Sequence, residues 1–470
     1  MSRASRWGLL VLLCGAGRML CAAETPVPVM TLDEAFGYAR SHQPQIRSAL
    51  AEVSARLQEA RVPRAAWYPQ VGGTVQLLYG TANNTTASYL NVPETDLPRI
   101  GGTTSVGSAR WSPSPSTLVA LTVDQEVYDF GRIAARAAVT DALAEVARAN
   151  AETALLEVQL AVEEAFHGVL TAKEILKATE DAYKRAAAHR DYAQAGTRSG
   201  LRPPIELTRA QADVAQLEVR RVRAQTGLEA ARAALAAAIG SDSLQVDAQP
   251  LSAKEQSTPV FEEALRLASV RNPLIAAAWA RIRAQENTTR AVLRELAPNV
   301  FASGTLSGRA GGAAPSTMGT GPYGDGWLPD VANWHLGLVL EWNIFDAAVL
   351  ARRSAARARE EVARADLDVA RTSVTLLVER AHLDLQAAKR ALPGLDEAVR
   401  AAQANQAQAD ARFRAGLGTT VELADAEALL TNAQLERAIG EFVVARARAQ
   451  LGRVIGENLL VPSAAERRGR

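Results

Sequence analysis

The chain has 470 residues, with 52 Lys plus Arg against 51 Asp plus Glu. So even a balance argues against nucleic acid as the main partner, because a phosphate binder needs a basic excess. Aromatics make up only 5% of residues, and Ala, Arg, Glu, Leu and Gln fill long stretches, the composition of long helices or coiled coils.

Residues 1–23 read as a secretory signal peptide. Arg3 and Arg6 give a basic start, and WGLLVLLCGAG forms an apolar segment too short to span a bilayer. Small residues in Cys21-Ala22-Ala23 predict cleavage before Glu24. Acylation at Cys21 is the competing reading, against which Leu20 stands where such a site takes a small residue. Both cysteines, Cys14 and Cys21, lie in this segment, so the mature chain is expected to hold its fold by packing, without disulfides. No later apolar run reaches about 18 residues, so membrane entry requires a β-barrel.

The rest of the chain is written twice. TLDEAFGYARSHQPQI (31–46) aligns with VFEEALRLASVRNPLI (260–275), and AAWYPQVGGTVQLLYG (65–80) with RELAPNVFASGTLSGR (294–309). VDQEVYDFGR (123–132) aligns with LEWNIFDAAV (340–349), which sets Asp129 opposite Asp346. SGLRPPIELTRAQADV (199–214) then matches AGLGTTVELADAEALL (415–430), and AAIGSDS (237–243) matches RVIGENL (453–459). Pro, Gly and Asp landmarks in the same order mark a duplication. Repeat one spans 24–250 and repeat two 251–460, followed by a polar tail at 461–470.

Each repeat predicts one plan. A helix opens it, over roughly 31–62 or 260–293, and Thr31 with Glu34 forms a capping-box pattern at the first. Strands follow at about 67–80 and 117–128 in repeat one, and at about 299–309 and 333–345 in repeat two. The second strands alternate: Val119, Leu121, Val123 and Val127 against Thr122, Asp124 and Glu126; Leu336, Leu338, Leu340 and Trp342 against His335, Gly337 and Glu341. Alternation alone also suits a half-buried strand of a soluble sheet. The clustering of Trp67, Tyr68, Trp111, Trp327, Trp334 and Trp342 in or beside these segments favours a membrane barrel with an aromatic girdle. The Gly-rich stretch 309–326 reads as an extracellular loop.

Long helical patterns follow, from about 131 to 198 and from about 348 to 415, interrupted only by Pro393-Gly394. At 1.5 Å per residue each is a rod of roughly 100 Å, against an average helix of about 11 residues. Short turns at 199–204 and 416–420 precede return helices that end near Gly240 and Gly456. Four strands cannot close a barrel, so the chain must associate, and three copies supply twelve strands.

The duplicated plan, the LGLVLEWNIFDA strand-to-helix junction, and two Gly-Leu turns followed by an acid (Gly200-Leu201…Glu206 and Gly416-Leu417…Glu422) together resemble the outer membrane efflux proteins, the TolC-like family. The resemblance implies a mainly α fold with a membrane β-barrel: a homotrimer whose twelve-stranded barrel joins a long α-helical periplasmic tunnel. It also implies outer membrane lipid around the barrel, and docking to a periplasmic adaptor and an inner-membrane transporter. The exported cargo would be drugs, metals or other small molecules, or secreted proteins as in type I systems. A periplasmic adaptor is the rival class, but it would carry one hairpin flanked by β-rich domains.

Within the resemblance, Gly200, Leu201, Gly416 and Leu417 are the periplasmic tips and adaptor contacts. Glu422 and Asp425 align with the acidic pair ringing the tunnel entrance, although acids in a first helical turn also serve the dipole without any pore. Glu206 matches one acidic gate partner. The arginine that the resemblance expects after the repeat-two tip is replaced by Gly418, and the expected hydroxylated aromatic by Phe413. Arg209, standing in repeat one where Asp425 stands in repeat two, is a possible partner for Glu422 or Asp425. No catalytic residue, metal site or cofactor is expected: the five histidines are dispersed, and neither a phosphate loop nor a His-Glu-x-x-His motif occurs.

Overall fold

The computed structural model describes residues 27–81, 113–250, 259–311, 327–328 and 331–457. The signal segment, Trp111, most of the stretch 309–326 and the polar tail lie outside the described residues.

Each repeat opens with two helices, where the sequence predicts one. α1 (Leu32–His42) and α2 (Pro44–Glu59) are broken at Gln43; α5 (Phe261–Arg271) and α6 (Pro273–Arg294) are broken at Asn272. Steric conflict with the following proline forces the preceding residue out of the helical region, and Gln43 and Asn272 take ψ of 119° and 123°. The Thr31–Glu34 capping box forms at α1.

Four strands form one antiparallel sheet in the order β2-β3-β5-β6: β2 (Gln70–Thr81), β3 (Pro113–Tyr128), β5 (Asn299–Gly311) and β6 (Val331–Glu341). β5 runs two residues further than predicted, into the stretch read as loop, and β6 ends before Trp342. Two short strands, β1 (Val29–Met30) and β4 (Asp247–Ala248), pair in parallel and tie the start of the described chain to the end of repeat one. Asp247 is held there by Lys173 at 2.7 Å and Arg232 at 2.8 Å.

The main sheet is inside out by the standard of a soluble protein. Val71, Val75, Leu121, Leu306, Leu336 and Leu338 are exposed on one face, while Thr74, Gln76, Thr122, Thr305 and Ser307 on the other are buried. Water penalises such an apolar surface and lipid does not. Trp67, Tyr68, Tyr128, Phe130, Trp342 and Phe345 are exposed at the end of the sheet nearest the helices, and Trp334 lies further along β6.

The strand-to-helix junctions explain the paired aspartates. Asp129 is buried and accepts hydrogen bonds from the amides of Gly131, at 2.9 Å, and Ile133; Asp346 accepts from the amide of Ala348 at 2.7 Å. Each carboxylate satisfies amides that a helix start leaves without partners. From these caps run α3 (Arg132–Arg198) and α7 (Ala347–Arg414), each about 100 Å long. Pro393 is carried inside α7 without ending it. The return helices are α4 (Pro204–Ile239) and α8 (Thr420–Ile455).

The two hydrophobic cores are also duplicates. Ala35, Ile46, Val158, Val162, Leu235 and Ile239 form the first. Ala264, Ile275, Val374, Val378, Leu451 and Ile455, at the corresponding places of the second repeat, form the other. Each opening helix therefore packs into the hairpin of its own repeat. Between repeats, α3 packs on α6 and on α8, which joins the two hairpins along their length.

Candidate functional site: the hairpin tips

The residues singled out in the sequence lie at the far ends of the two hairpins, where Glu206 and Phe413 are brought together. Each long helix stops at a glycine in the left-handed region, Gly200 with φ 73° and Gly416 with φ 77°, a conformation that costs other residues about 1–2 kcal/mol. The amide of Leu201 donates to Gly196 O, and that of Leu417 to Arg412 O, both at 2.9 Å, so the reversals are tied to the preceding helical turn. Leu201 and Leu417 are 83% and 75% exposed. They do not cover their own turns.

Glu422 and Asp425 lie on one exposed side of α8, while Leu423, Ala426, Glu427 and Leu430 are buried on the other. Glu422 is also part of a helix cap. Thr419 Oγ1 accepts from the Glu422 amide at 3.2 Å, and Glu422 Oε2 accepts from the Thr419 amide at 3.4 Å. This is a capping box, and Thr419-Thr420-Val421-Glu422 carries its signature in the sequence. Asp425 has no hydrogen-bond or ion-pair partner among the described residues, and Arg209, also exposed, has no ion-pair partner among them. The protomer does not bring Arg209 to either carboxylate.

The group that joins Glu206 to Phe413 is Arg202, which sequence reasoning missed. Its guanidinium donates to Glu206 Oε2 at 2.7 Å and to Phe413 O at 3.1 Å. It also lies over the Phe413 ring at 4.1 Å and the Tyr192 ring at 5.2 Å, a cation–π arrangement. Arg202 stands two residues after the tip glycine of repeat one, the place that Gly418 occupies in repeat two. Gly196 leaves room for it: a Cβ there would lie 2.9 Å from Arg202 Cδ. Position 418 has no such room, since a Cβ on Gly418 would meet Phe413 N at 3.1 Å. Phe413 is 1% exposed and serves as the apolar anchor between hairpins.

Behind Phe413 lies a cavity of about 110 Å³ lined by α3, α4 and α8, with His189, Asp213, Arg220 and Glu427 on its walls. His189 Nε2–H donates to Glu427 Oε1 at 2.9 Å, and Asp410 Oδ1 lies 4.0 Å from the same nitrogen. Arg185, one turn before His189 on α3, faces Glu427 at 3.9 Å. Burial, with the Glu427 charge added to it, pushes the Asp213 carboxyl up. Nearer the middle of α3, burial pushes Glu163 up to about 7, and the neighbouring Glu457 and Glu164 add to that shift.

Comparison with known proteins defines the class. The family model described as "Outer membrane efflux protein" matches residues 36–241 and 264–457, one segment per repeat, and the chain belongs to that family. It is an outer membrane protein whose helices extend into the periplasm, and family and fold are those of channels rather than enzymes. The fold matches the outer-membrane channel OprN with a TM-score of 0.70, at 22% identity over 92% of this chain and 91% of that one. It matches the CmeC outer membrane channel of Campylobacter jejuni with a TM-score of 0.71, at 14% identity over 90% and 85% of the two chains. The open state of the MtrE channel of Neisseria gonorrhoeae gives a TM-score of 0.67, at 17% identity over 91% and 89%. In sequence, Protein CyaE of Bordetella pertussis is 28% identical over 201 residues, 43% of this chain; the match spans 40% of CyaE's own length.

Proposed function

We propose that three copies of this chain form the exit duct of a tripartite efflux pump, which carries small toxic molecules across the periplasm and outer membrane. The observation that carries this reading is the four-stranded sheet with its apolar face outward and its outer strands, β2 and β6, each paired on one side only among the described residues. Unpaired edges inside a bilayer are untenable. Because β2 and β6 run in opposite directions, β6 of one copy can continue the antiparallel ladder onto β2 of the next until the ring closes.

The helices below offer the same seam. Packing runs α2, α3, α6, α7, which leaves α2 and α7 open on their outer flanks. Val362, Val369, Leu376 and Leu383 recur every seven residues on α7 and are exposed, as are Leu50 and Leu57 on α2. This spacing is that of a coiled-coil seam seeking a second helix. In the closed ring Glu422 and Asp425 of three copies surround one narrow opening, where carboxylates favour cations. The exposed Leu201 and Leu417 offer apolar contacts to a periplasmic adaptor, which links the duct to an inner-membrane transporter that supplies the energy.

The test is the mass of the particle extracted from outer membranes with mild detergent. The expected mass is that of three chains after subtraction of detergent. Recovery as a monomer in the aqueous periplasmic fraction would overturn the reading.

A further inference from the structure

We propose that the cavity behind Phe413 is a binding site for a small organic amine, a short alkylammonium ion held by Asp213. The site lies within one protomer, so it goes beyond the channel reading above and does not depend on it.

The walls define the body of the ligand. Ala186 on α3, Leu217 on α4, Leu423 on α8 and Phe413 on α7 give the cavity apolar sides. Its volume of about 110 Å³, set against about 150 Å³ for a cavity that takes benzene, suits an unbranched body of roughly four carbons.

Two acceptors on the same walls lack a protein partner among the described residues. The Asp213 carboxylate, half-buried on α4, makes no hydrogen bond and no ion pair among them. Burial raises its pKa, and the charge that adds to this is a second carboxylate, Glu427. Thr420 Oγ1, at the start of α8, is buried and makes no hydrogen bond. Burying such groups without a partner costs free energy that a ligand donor would recover.

The remaining charges decide the sign of the ligand. Glu427 Oε1 accepts from His189 at 2.9 Å and faces Arg185 at 3.9 Å, so Glu427 is met from within the protein. Arg220 stands seven residues beyond Asp213 on α4, is exposed, and also borders a wider neighbouring groove, where water screens its charge. The uncompensated charge on the wall is therefore the negative one of Asp213. A primary ammonium brings one positive charge and three N–H donors, enough to serve both Asp213 and Thr420 Oγ1, while a short alkyl chain covers the Ala and Leu sides. An anion would be repelled by Asp213 and Glu427, and a neutral alcohol forgoes the charge-assisted bond.

Isothermal titration calorimetry of the full chain, extracted in detergent, tests this with n-butylamine and n-butanol at neutral pH. Native protein is expected to bind butylamine in the millimolar range, and roughly ten-fold more tightly than butanol. Asp213→Asn keeps the shape of the side chain and removes its charge, so it should bind butylamine no better than butanol. Excess tetrabutylammonium, which has the same charge and too large a body, should not displace butylamine from native protein. Butanol binding as tightly as butylamine, or a preference for the amine that survives Asp213→Asn, overturns the site. Displacement by tetrabutylammonium would assign the amine to the open carboxylates Glu422 and Asp425 and overturn it equally. The channel reading stands or falls separately, on the mass of the extracted particle.

Discussion

At the scale of single residues, the turn glycines separate conformational need from packing need. Gly416 at the tip and Gly456 at the end of α8 both have φ near 76°. A Cβ on Gly416 would meet nothing within 4 Å, whereas a Cβ on Gly456 would lie 2.6 Å from Arg271 O. Gly416→Ala is therefore expected to cost only the backbone term, about 1–2 kcal/mol. Gly456→Ala adds the displacement of α5 from the core, a further ~1–3 kcal/mol. Thermal unfolding of the detergent-extracted protein checks this as a lower midpoint for Gly456→Ala than for Gly416→Ala; equal midpoints would contradict it. Residue-level chemistry at the tips was only partly legible in the sequence. The Gly-Leu reversals and the acids of α8 stand out as local patterns. Arg202 and the His189–Glu427 pair do not, because no local pattern reveals which face of α3 meets α7 and α8. The Thr419–Glu422 cap carried a readable signature of its own, and it gives Glu422 a structural task beside any pore role.

At the scale of elements, the breaks before Pro44 and Pro273 decide how each opening segment docks. Asn272 shows the mechanism. It is buried; its Oδ1 accepts from the Leu274 amide at 2.9 Å and caps α6, and its Nδ2 donates to Val454 O at 2.8 Å near the end of α8. Gln43 does the same work in repeat one, donating to Ala238 O at 2.7 Å. Loss of a cap costs about 1 kcal/mol, and leaving a buried carbonyl unpaired costs about 1–3 kcal/mol more. Asn272→Ala is thus expected to destabilise repeat two by roughly 2–4 kcal/mol in all, read by faster protease cleavage near residues 259–272 than in native protein. Native resistance in the variant would contradict the role. The strands and rods were legible because periods of two and 3.6 persist over many residues. The helix breaks are hidden because the helical pattern runs on through Pro44 and Pro273, while each proline forces the residue before it into an extended conformation.

At the scale of the whole molecule, the duplication is visible in sequence, in the paired Asp caps, in the paired cores and in the matched tips. Among the described residues, sheet and helices are left open at the same two places, β2 with α2 and β6 with α7. The sequence reveals the plan of each repeat, while the identity of the open flanks emerges only once the order of packing is known. The central claim is that those flanks close into a conduit whose mouth is narrowed by Glu422 and Asp425. Its most direct test is the conductance and ion selectivity of purified protein in planar bilayers, native beside Glu422→Ala/Asp425→Ala. The account predicts small cation-selective steps for native protein, and larger or unselective steps for the double variant. Native-like steps in the double variant would remove both carboxylates from the constriction, and absence of any channel in native protein would contradict the conduit itself.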